Sequence, residues 1–62
     1  MKITLEHARV VGYCARGMRA FAKRHGLDWE RFRAEGLPEE ELLETNDAMA
    51  ERCVEAAHEA ED

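Results

Sequence analysis

The chain has 62 residues, of which 45% are hydrophobic, and a formal net charge of −5 at pH 7. A chain of this length buries only about 60% of its unfolded surface, so it is expected to form one domain with a marginal core. Its two cysteines fall short of the roughly four to eight that staple secreted mini-proteins, which predicts free thiols in a reducing compartment.

The sequence also indicates where the protein acts and whether it needs a partner. Neither a signal-peptide pattern nor an apolar run of about 20 residues is present, so we expect no export and no membrane contact. A core this small is often completed by a disulfide, a metal or a second chain. Since no disulfide framework is present, we predict a single helical domain over residues 1–62 that forms a homo-oligomer or docks on a larger partner.

The first predicted element is one long helix over residues 5–25, preceded by Thr4 as its N-cap. Its apolar residues recur at steps of three and four and so share one face. They are Val11, Cys14, Met18 and Phe21. Gly26 follows the helix, and glycine commonly ends helices in the left-handed conformation.

A short second helix is predicted over residues 28–35. Asp28 is a good N-cap, and Leu27 and Phe32 flank it at the spacing of a hydrophobic staple. Trp29, the single tryptophan, lies three residues before Phe32 and is expected to cover the junction with the first helix. The alternative is that Trp29 anchors a partner, because tryptophan is enriched at interface hot spots.

A third helix is predicted after Gly36, with Pro38 at its first position. Glutamates at positions 39–41 suit the positive end of its dipole. Asn46 tolerates a left-handed conformation, so a break is expected there.

The last predicted helix spans residues 47–58, and a single kinked helix over 38–60 is the alternative. The inward stripe of the last helix would comprise Met49, Cys53, Ala56 and Ala60. The predicted fold class is therefore all-α, a small bundle of two longer helices bridged by two short ones.

The sequence contains no recognisable catalytic or metal-binding pattern. The potential soft ligands lack the spacing of three or four residues that chelation on one helix requires. They are His7, Cys14, His25, Cys53 and His58. Both cysteines are predicted to face the core, where a thiol lacks the exposed, electropositive setting of a nucleophile. We therefore predict no enzyme activity, no cofactor and no metal.

Charge is distributed unevenly along the chain. Residues 1–33 carry eight cations and three acids, a net charge of +5, whereas residues 34–62 carry one cation and eleven acids, a net charge of −10. Four cations of the first helix are predicted to lie opposite its apolar face. They form the candidate partner-binding stripe and are Arg9, Arg16, Arg19 and Lys23.

This stripe has three possible roles. It can fit an acidic surface, on another protein or on the C-terminal helix of a neighbouring copy; it can track nucleic-acid phosphates; or it can be a solvated face. The negative net charge and the acidic segment PEEELLE, which would be the second helix of a helix-turn-helix pair, count against DNA. We therefore expect a protein partner, either another protein or a second copy of this chain, and no nucleic acid.

The string CARGMRAFAKRHGLDWERFRAEGLPEEELLETNDAMAERCVEAA resembles short, functionally unassigned helical proteins encoded by tailed bacteriophages and prophages. The shared features are RHGLDW, a phenylalanine three residues on, a Gly-hydrophobic turn and a TGDAMA-like segment, in which this chain has Asn46 where the family often has glycine. The resemblance spans about residues 5–57 and carries no catalytic residue. It implies a phage origin and a place in the host cytoplasm or the virion.

The function implied by this resemblance is virion assembly or a minor structural role. Two alternatives stay open. One is a counter-defence protein that blocks a host factor, with the acidic C-terminal helix imitating nucleic acid. The other is a nucleic-acid binder that uses the basic stripe.

Overall fold

A computed structural model describes residues 1–61, and 67% of the chain is helical. Five helices and a pair of two-residue strands follow one another along the sequence. In chain order they are β1 (Lys2–Ile3), α1 (Leu5–Val10), α2 (Ala15–Arg24), α3 (Trp29–Ala34), β2 (Leu37–Pro38), α4 (Glu39–Leu43) and α5 (Ala48–Glu61). The mostly helical character is confirmed, and residues 1–61 form five helices and a small two-stranded sheet where two longer helices bridged by two short ones were predicted.

The prediction of one continuous helix over residues 5–25 is wrong. The chain forms two helices there, α1 and α2, which are separated by a turn at 11–14. Gly12 has φ +94°, a backbone conformation that favours glycine. The N–H of Tyr13 donates to the carbonyl of Ala8 at 2.9 Å, and the N–H of Gly12 donates to the carbonyl of Arg9 at 2.9 Å. These two bonds form a Schellman motif that satisfies the last carbonyls of α1.

The junction between α2 and α3 is as predicted. Gly26 has a positive φ, and the N–H of Leu27 donates to the carbonyl of Ala22 at 2.8 Å, which completes a second Schellman motif. Asp28 is the N-cap of α3, and its carboxylate accepts from the N–H of Arg31 at 3.1 Å. One Gly-Leu pair thus ends α2 and precedes the cap of α3.

Gly36 lies in the turn that ends α3, as predicted. The segment after it, however, first forms a strand. Leu37 pairs with Ile3 in an antiparallel two-stranded sheet, and Pro38 is the N-cap of α4, not its first helical residue. Gly36 has φ +93°, and a Cβ there would lie 2.7 Å from the carbonyl oxygen of Ile3. Only glycine allows β1 to approach the turn this closely.

The predicted break between α4 and α5 is present, so the single kinked helix is excluded. Asn46 has φ +54°, and the N–H of Met49 donates to the carboxylate of Asp47 at 2.9 Å. The last helix extends to Glu61, three residues beyond the predicted end.

The core lies between α5 and the other elements. Its largest fully buried side chains are Phe21, Ile3, Met18, Leu37, Leu42 and Cys53. The last helix contributes mostly small residues, and it packs chiefly against α1 and α4. Ala60, predicted to face inward, is exposed. Trp29 is half-buried against the core, 6.0 Å from the ring of Phe32, so it covers the α2–α3 junction in part.

Candidate interaction surface

Three cations lie in a row on the exposed face of α2. Arg16, Arg19 and Lys23 are separated by three and four residues, so they share one face at 3.6 residues per turn. The opposite face is fixed in the core by Met18 and Phe21, both at most 1% exposed. The fold therefore presents these three side chains, here called the α2 stripe, to solvent in one direction.

The α2 stripe, like Arg52 on α5, has no acidic partner, whereas the other Lys and Arg side chains of residues 1–61 do. Within residues 1–61, none of its three side chains forms an ion pair within 4.0 Å. The cations that do form them are Lys2 with Glu35, Arg9 with Glu6, Arg24 with Asp47, Arg31 with Glu35 and Glu41, and Arg33 with Glu30. The fold thus neutralises several cations locally and leaves a row of three on α2.

The position of Arg16 is unfavourable for the helix itself. It lies in the first turn of α2, which contains no acidic residue. A cation at this end interacts unfavourably with the helix dipole, by a few tenths to about 1 kcal/mol at an exposed site. Helix stability therefore does not explain why the α2 stripe begins there.

Arg9 is separated from the other predicted stripe residues. It lies on α1, beyond the turn at 11–14, and its guanidinium is 3.9 Å from Glu6 on the same helix. The sequence prediction placed Arg9 in line with Arg16 because it assumed a continuous helix. With the helix divided, the shared helical face comprises three residues.

The C-terminal end of α2 is tied to the segment before α5. The imidazole Nε2 of His25 and a guanidinium nitrogen of Arg24 lie 2.9 Å and 3.1 Å from the same carboxylate oxygen of Asp47. The hydrogen bond with His25, the bond from the backbone N–H of Met49 and the nearby Arg24 hold the pKa of Asp47 at about 2, below its usual 3.8. These contacts orient α2 and its stripe.

The two cysteines have different environments. Cys14, predicted to face the core, is exposed; it is the N-cap of α2, and its Sγ accepts from the N–H of Gly17 at 3.4 Å. The helix break moves it out of the apolar stripe. Cys53 is buried as predicted, and burial raises the pKa of its thiol to about 11.

The other two histidines also form hydrogen bonds within the chain. His7 accepts from the backbone N–H of Thr4 at 3.0 Å, which ties the first turn of α1. The Nε2 of His58 lies 2.6 Å from a carboxylate oxygen of Glu39 and so links α5 to α4. In the described chain, no group of three or more His, Cys, Asp and Glu side chains is placed to hold a metal ion.

An open cleft of about 260 Å³ lies beside the α2–α3 junction. Its lining residues are His25, Leu27, Glu41, Glu44 and Thr45.

Among residues 1–61, no helix combines the length and apolar character needed to cross a membrane.

Comparison with known proteins gives no relative on which to base a function. The chain matches no protein-family model, no curated protein and no solved structure.

Proposed function

We propose that this protein is a small protein-binding module that uses the α2 stripe to contact an acidic surface. The observation that carries this proposal is the row of Arg16, Arg19 and Lys23, which is exposed and has no ion-pair partner within residues 1–61. The α2 helix is held rigidly by its buried face and by its tied C-terminal end. A pre-organised row of charges can direct the approach of a partner and fix its register.

A protein fits this surface better than a nucleic acid does. The stripe offers three cations, and the remainder of the molecule brings the net charge to −5. Nucleic-acid affinity depends on neutralising many phosphates, and an acidic body repels a polyanion that extends past a short stripe. An acidic patch on a protein is limited in size and can avoid this repulsion.

The setting of this module, on the resemblance described above, is a tailed bacteriophage. We propose a role in virion assembly or as a minor structural component, in the host cytoplasm or in the particle. Small size and a binding surface without a developed pocket are compatible with a structural or scaffolding role. The competing role is blocking of a host factor, and the two roles predict different partners.

The test is an affinity capture of the tagged protein from phage-producing host cells, followed by mass spectrometry and an ultraviolet absorbance check for nucleic acid. We expect portal, capsid or tail proteins, and we expect their recovery to fall with R16E/R19E. The matched control is K2E/R33E, which changes the net charge equally at cations that have acidic partners within the chain.

Three results would contradict the proposal. Equal losses with both variants would mean that net charge matters and the stripe does not. Recovery of a host enzyme or defence complex in place of phage proteins would replace assembly by host interference. Co-purifying nucleic acid that R16E/R19E abolishes would identify the stripe as a phosphate-binding surface.

A further inference from the structure

The exposed side of α5 carries three glutamates in a row, opposite in sign to the α2 stripe, beside one cation, Arg52. Glu51, Glu55 and Glu59 are separated by four residues each, so they share one helical face, and all three are exposed. Cys53 and Ala57, on the other side of the helix, are fully buried. We call the three glutamates the α5 stripe.

The α5 stripe also lacks a partner within the described chain. No cation lies within 4.0 Å of these glutamates among residues 1–61, whereas Glu30, Glu35, Glu39, Glu41 and Asp47 are all paired. The two stripes do not neutralise each other inside one molecule. They belong to helices that pack mainly against other elements, α2 against α1 and α3, and α5 against α1 and α4.

The two stripes match in length as well as in sign. At a rise of about 1.5 Å per residue, the α2 stripe spans about 10 Å and the α5 stripe about 12 Å. Each presents three charges on a rigid helix whose other face is in the core. A small side chain adjoins each row, Ala20 on α2 and Ala48 on α5, and both are exposed. These alanines leave room for two helices to approach.

We propose that the acidic surface recognised by the α2 stripe is the α5 stripe of a second copy of this chain. This inference rests on the proposed function, because it names the partner of the same surface. The contact joins two different patches, so each copy keeps one stripe free for the next. Such a contact produces rings if the rotation closes and open filaments if it does not.

Self-association through these stripes is weak and sensitive to salt. Pairs of exposed charges contribute little individually, and they are screened beyond a Debye length of about 10 Å at about 0.1 M salt. The contact belongs to the small, polar class of transient interfaces. It becomes substantial where copies are concentrated on a common scaffold, because a second contact made within an assembly is effectively intramolecular.

Sedimentation velocity of the purified chain over a concentration series tests the proposal. At low ionic strength we expect the average mass to rise with concentration, and at about 1 M salt, where the Debye length is about 3 Å, we expect monomer. R16E/R19E and E51K/E55K should each weaken association about tenfold or more, because like charges then face each other. A monomer at every concentration and salt level would overturn the proposal.

Two further variants identify the surfaces. E40K/E44K changes the net charge as E51K/E55K does, at the same spacing but on α4 and its C-cap, where both glutamates are exposed. It should keep the wild-type association, and an equal loss would contradict the α5 assignment. R16E/R19E/K23E/E51K/E55K/E59K exchanges the signs of both stripes at the wild-type net charge of −5, so it should associate again, whereas a persistent monomer would exclude stripe-to-stripe pairing.

The outcome separates this inference from the proposed function. If the chain is monomeric but R16E/R19E still loses phage proteins in the affinity capture, the stripe binds a different protein and only self-association is refuted. If the chain associates as described but captures no stripe-dependent phage protein, self-association stands and the assembly role falls. Circular dichroism spectra of all variants will show whether any loss of association results from loss of folding.

Discussion

The two ends of α2 are held in very different ways. At the C-terminal end, a Schellman turn at Gly26, the contacts of Arg24 and His25 with Asp47 and the 4.9 Å approach of the His25 and Phe21 rings act together. At the N-terminal end, the helix begins after the turn at 11–14, and its cap is the exposed thiol of Cys14. One end is held by ion pairs to a distant segment, whereas at the other Arg16 forms no ion pair within residues 1–61 and the first buried residue is Met18.

This difference matters for the α2 stripe because Arg16 lies near the weakly held end and Lys23 near the tied end. A stripe on a helix whose buried face and C-terminal end are both held keeps its direction. The contrast between the two ends can be tested by substitutions at each of them. Their expected effects on the free energy of unfolding differ in size and in sign.

The largest effect is expected from Phe21→Ala at the tied end. Phe21 is 1% exposed, and removing a buried phenylalanine costs about 3–5 kcal/mol. A domain of this size rarely has more than about 3–5 kcal/mol to lose. Thermal and urea unfolding, followed by circular dichroism, should show a largely unfolded variant. Arg19→Ala, on the exposed face of the same helix, should change the free energy of unfolding by less than about 0.5 kcal/mol.

Alanine substitutions at the glycines on either side of Cys14 should have opposite effects on stability. Gly12→Ala places an L-residue at φ +94° with no atom within 4 Å of its Cβ, so it should cost about 1–3 kcal/mol in backbone strain alone. Gly17 lies inside α2, and its added Cβ would make only an ordinary contact, 3.7 Å from Cys14 Sγ. Gly17→Ala should therefore stabilise by about 0.5–1 kcal/mol. Urea unfolding measures both, and stabilisation by both would support the continuous helix.

Asp47→Asn should change how stability depends on pH. The pKa of Asp47 is about 2 in the folded chain against an ordinary 3.8, so its contribution is complete above about pH 4 and is lost as the pH falls towards 2. Asparagine preserves the capping oxygen but not the charge. The variant should be less stable at neutral pH and should show a flatter decline between pH 4 and 2.

The matched control is Glu35→Gln, which removes another carboxylate with a lowered pKa at a position away from the end of α2. Lys2 and Arg31 lower the pKa of Glu35 as well, but this carboxylate does not hold the end of α2. An unchanged acid profile in Asp47→Asn, measured by urea unfolding at several pH values, would mean that the contacts of Arg24 and His25 do not stabilise the tied end.

The smallest effect on stability is expected from Cys14→Ser at the loosely held end. Serine is a preferred N-cap, so the variant should be unchanged or more stable by up to about 1 kcal/mol. A thiol reagent should modify one cysteine in the folded wild type, since Cys14 is exposed and Cys53 is buried with a raised pKa. The folded variant should react only on unfolding. Rapid reaction of its remaining thiol would contradict the burial of Cys53.

Local signals explain what could be predicted from the sequence. Gly26, Asp28, Gly36 and Asn46 each require a particular backbone conformation or cap, so their roles follow from the residue type and its neighbours. The same Gly-hydrophobic signal is present at Gly12 and Tyr13, where it ends α1, but the apolar spacing from Val11 to Phe21 suggested a continuous helix. The apolar periodicity therefore predicts one helix even where the turn signal, which recurs along the chain, ends α1.

The strand pair could not be predicted in the same way. Two strands of two residues each leave almost no periodic pattern, and their pairing depends on the distant approach of Ile3 to Leu37. The candidate surface was partly predictable, since three of its four cations share a face of α2. The exclusion of Arg9 and the exposure of Cys14 both follow from the helix break.

The strand pair also has a consequence for the order in which the protein folds. Pairing Ile3 with Leu37 closes a loop that contains α1, α2 and α3, and closing a long loop has an entropic cost that a single helix does not have. Contacts near in sequence, such as those around Gly26, are therefore expected to form before it. Substitutions at Ile3 or Leu37 should accelerate unfolding more than they slow folding. The two short strands are thus expected to form late in folding and to contribute to slow unfolding.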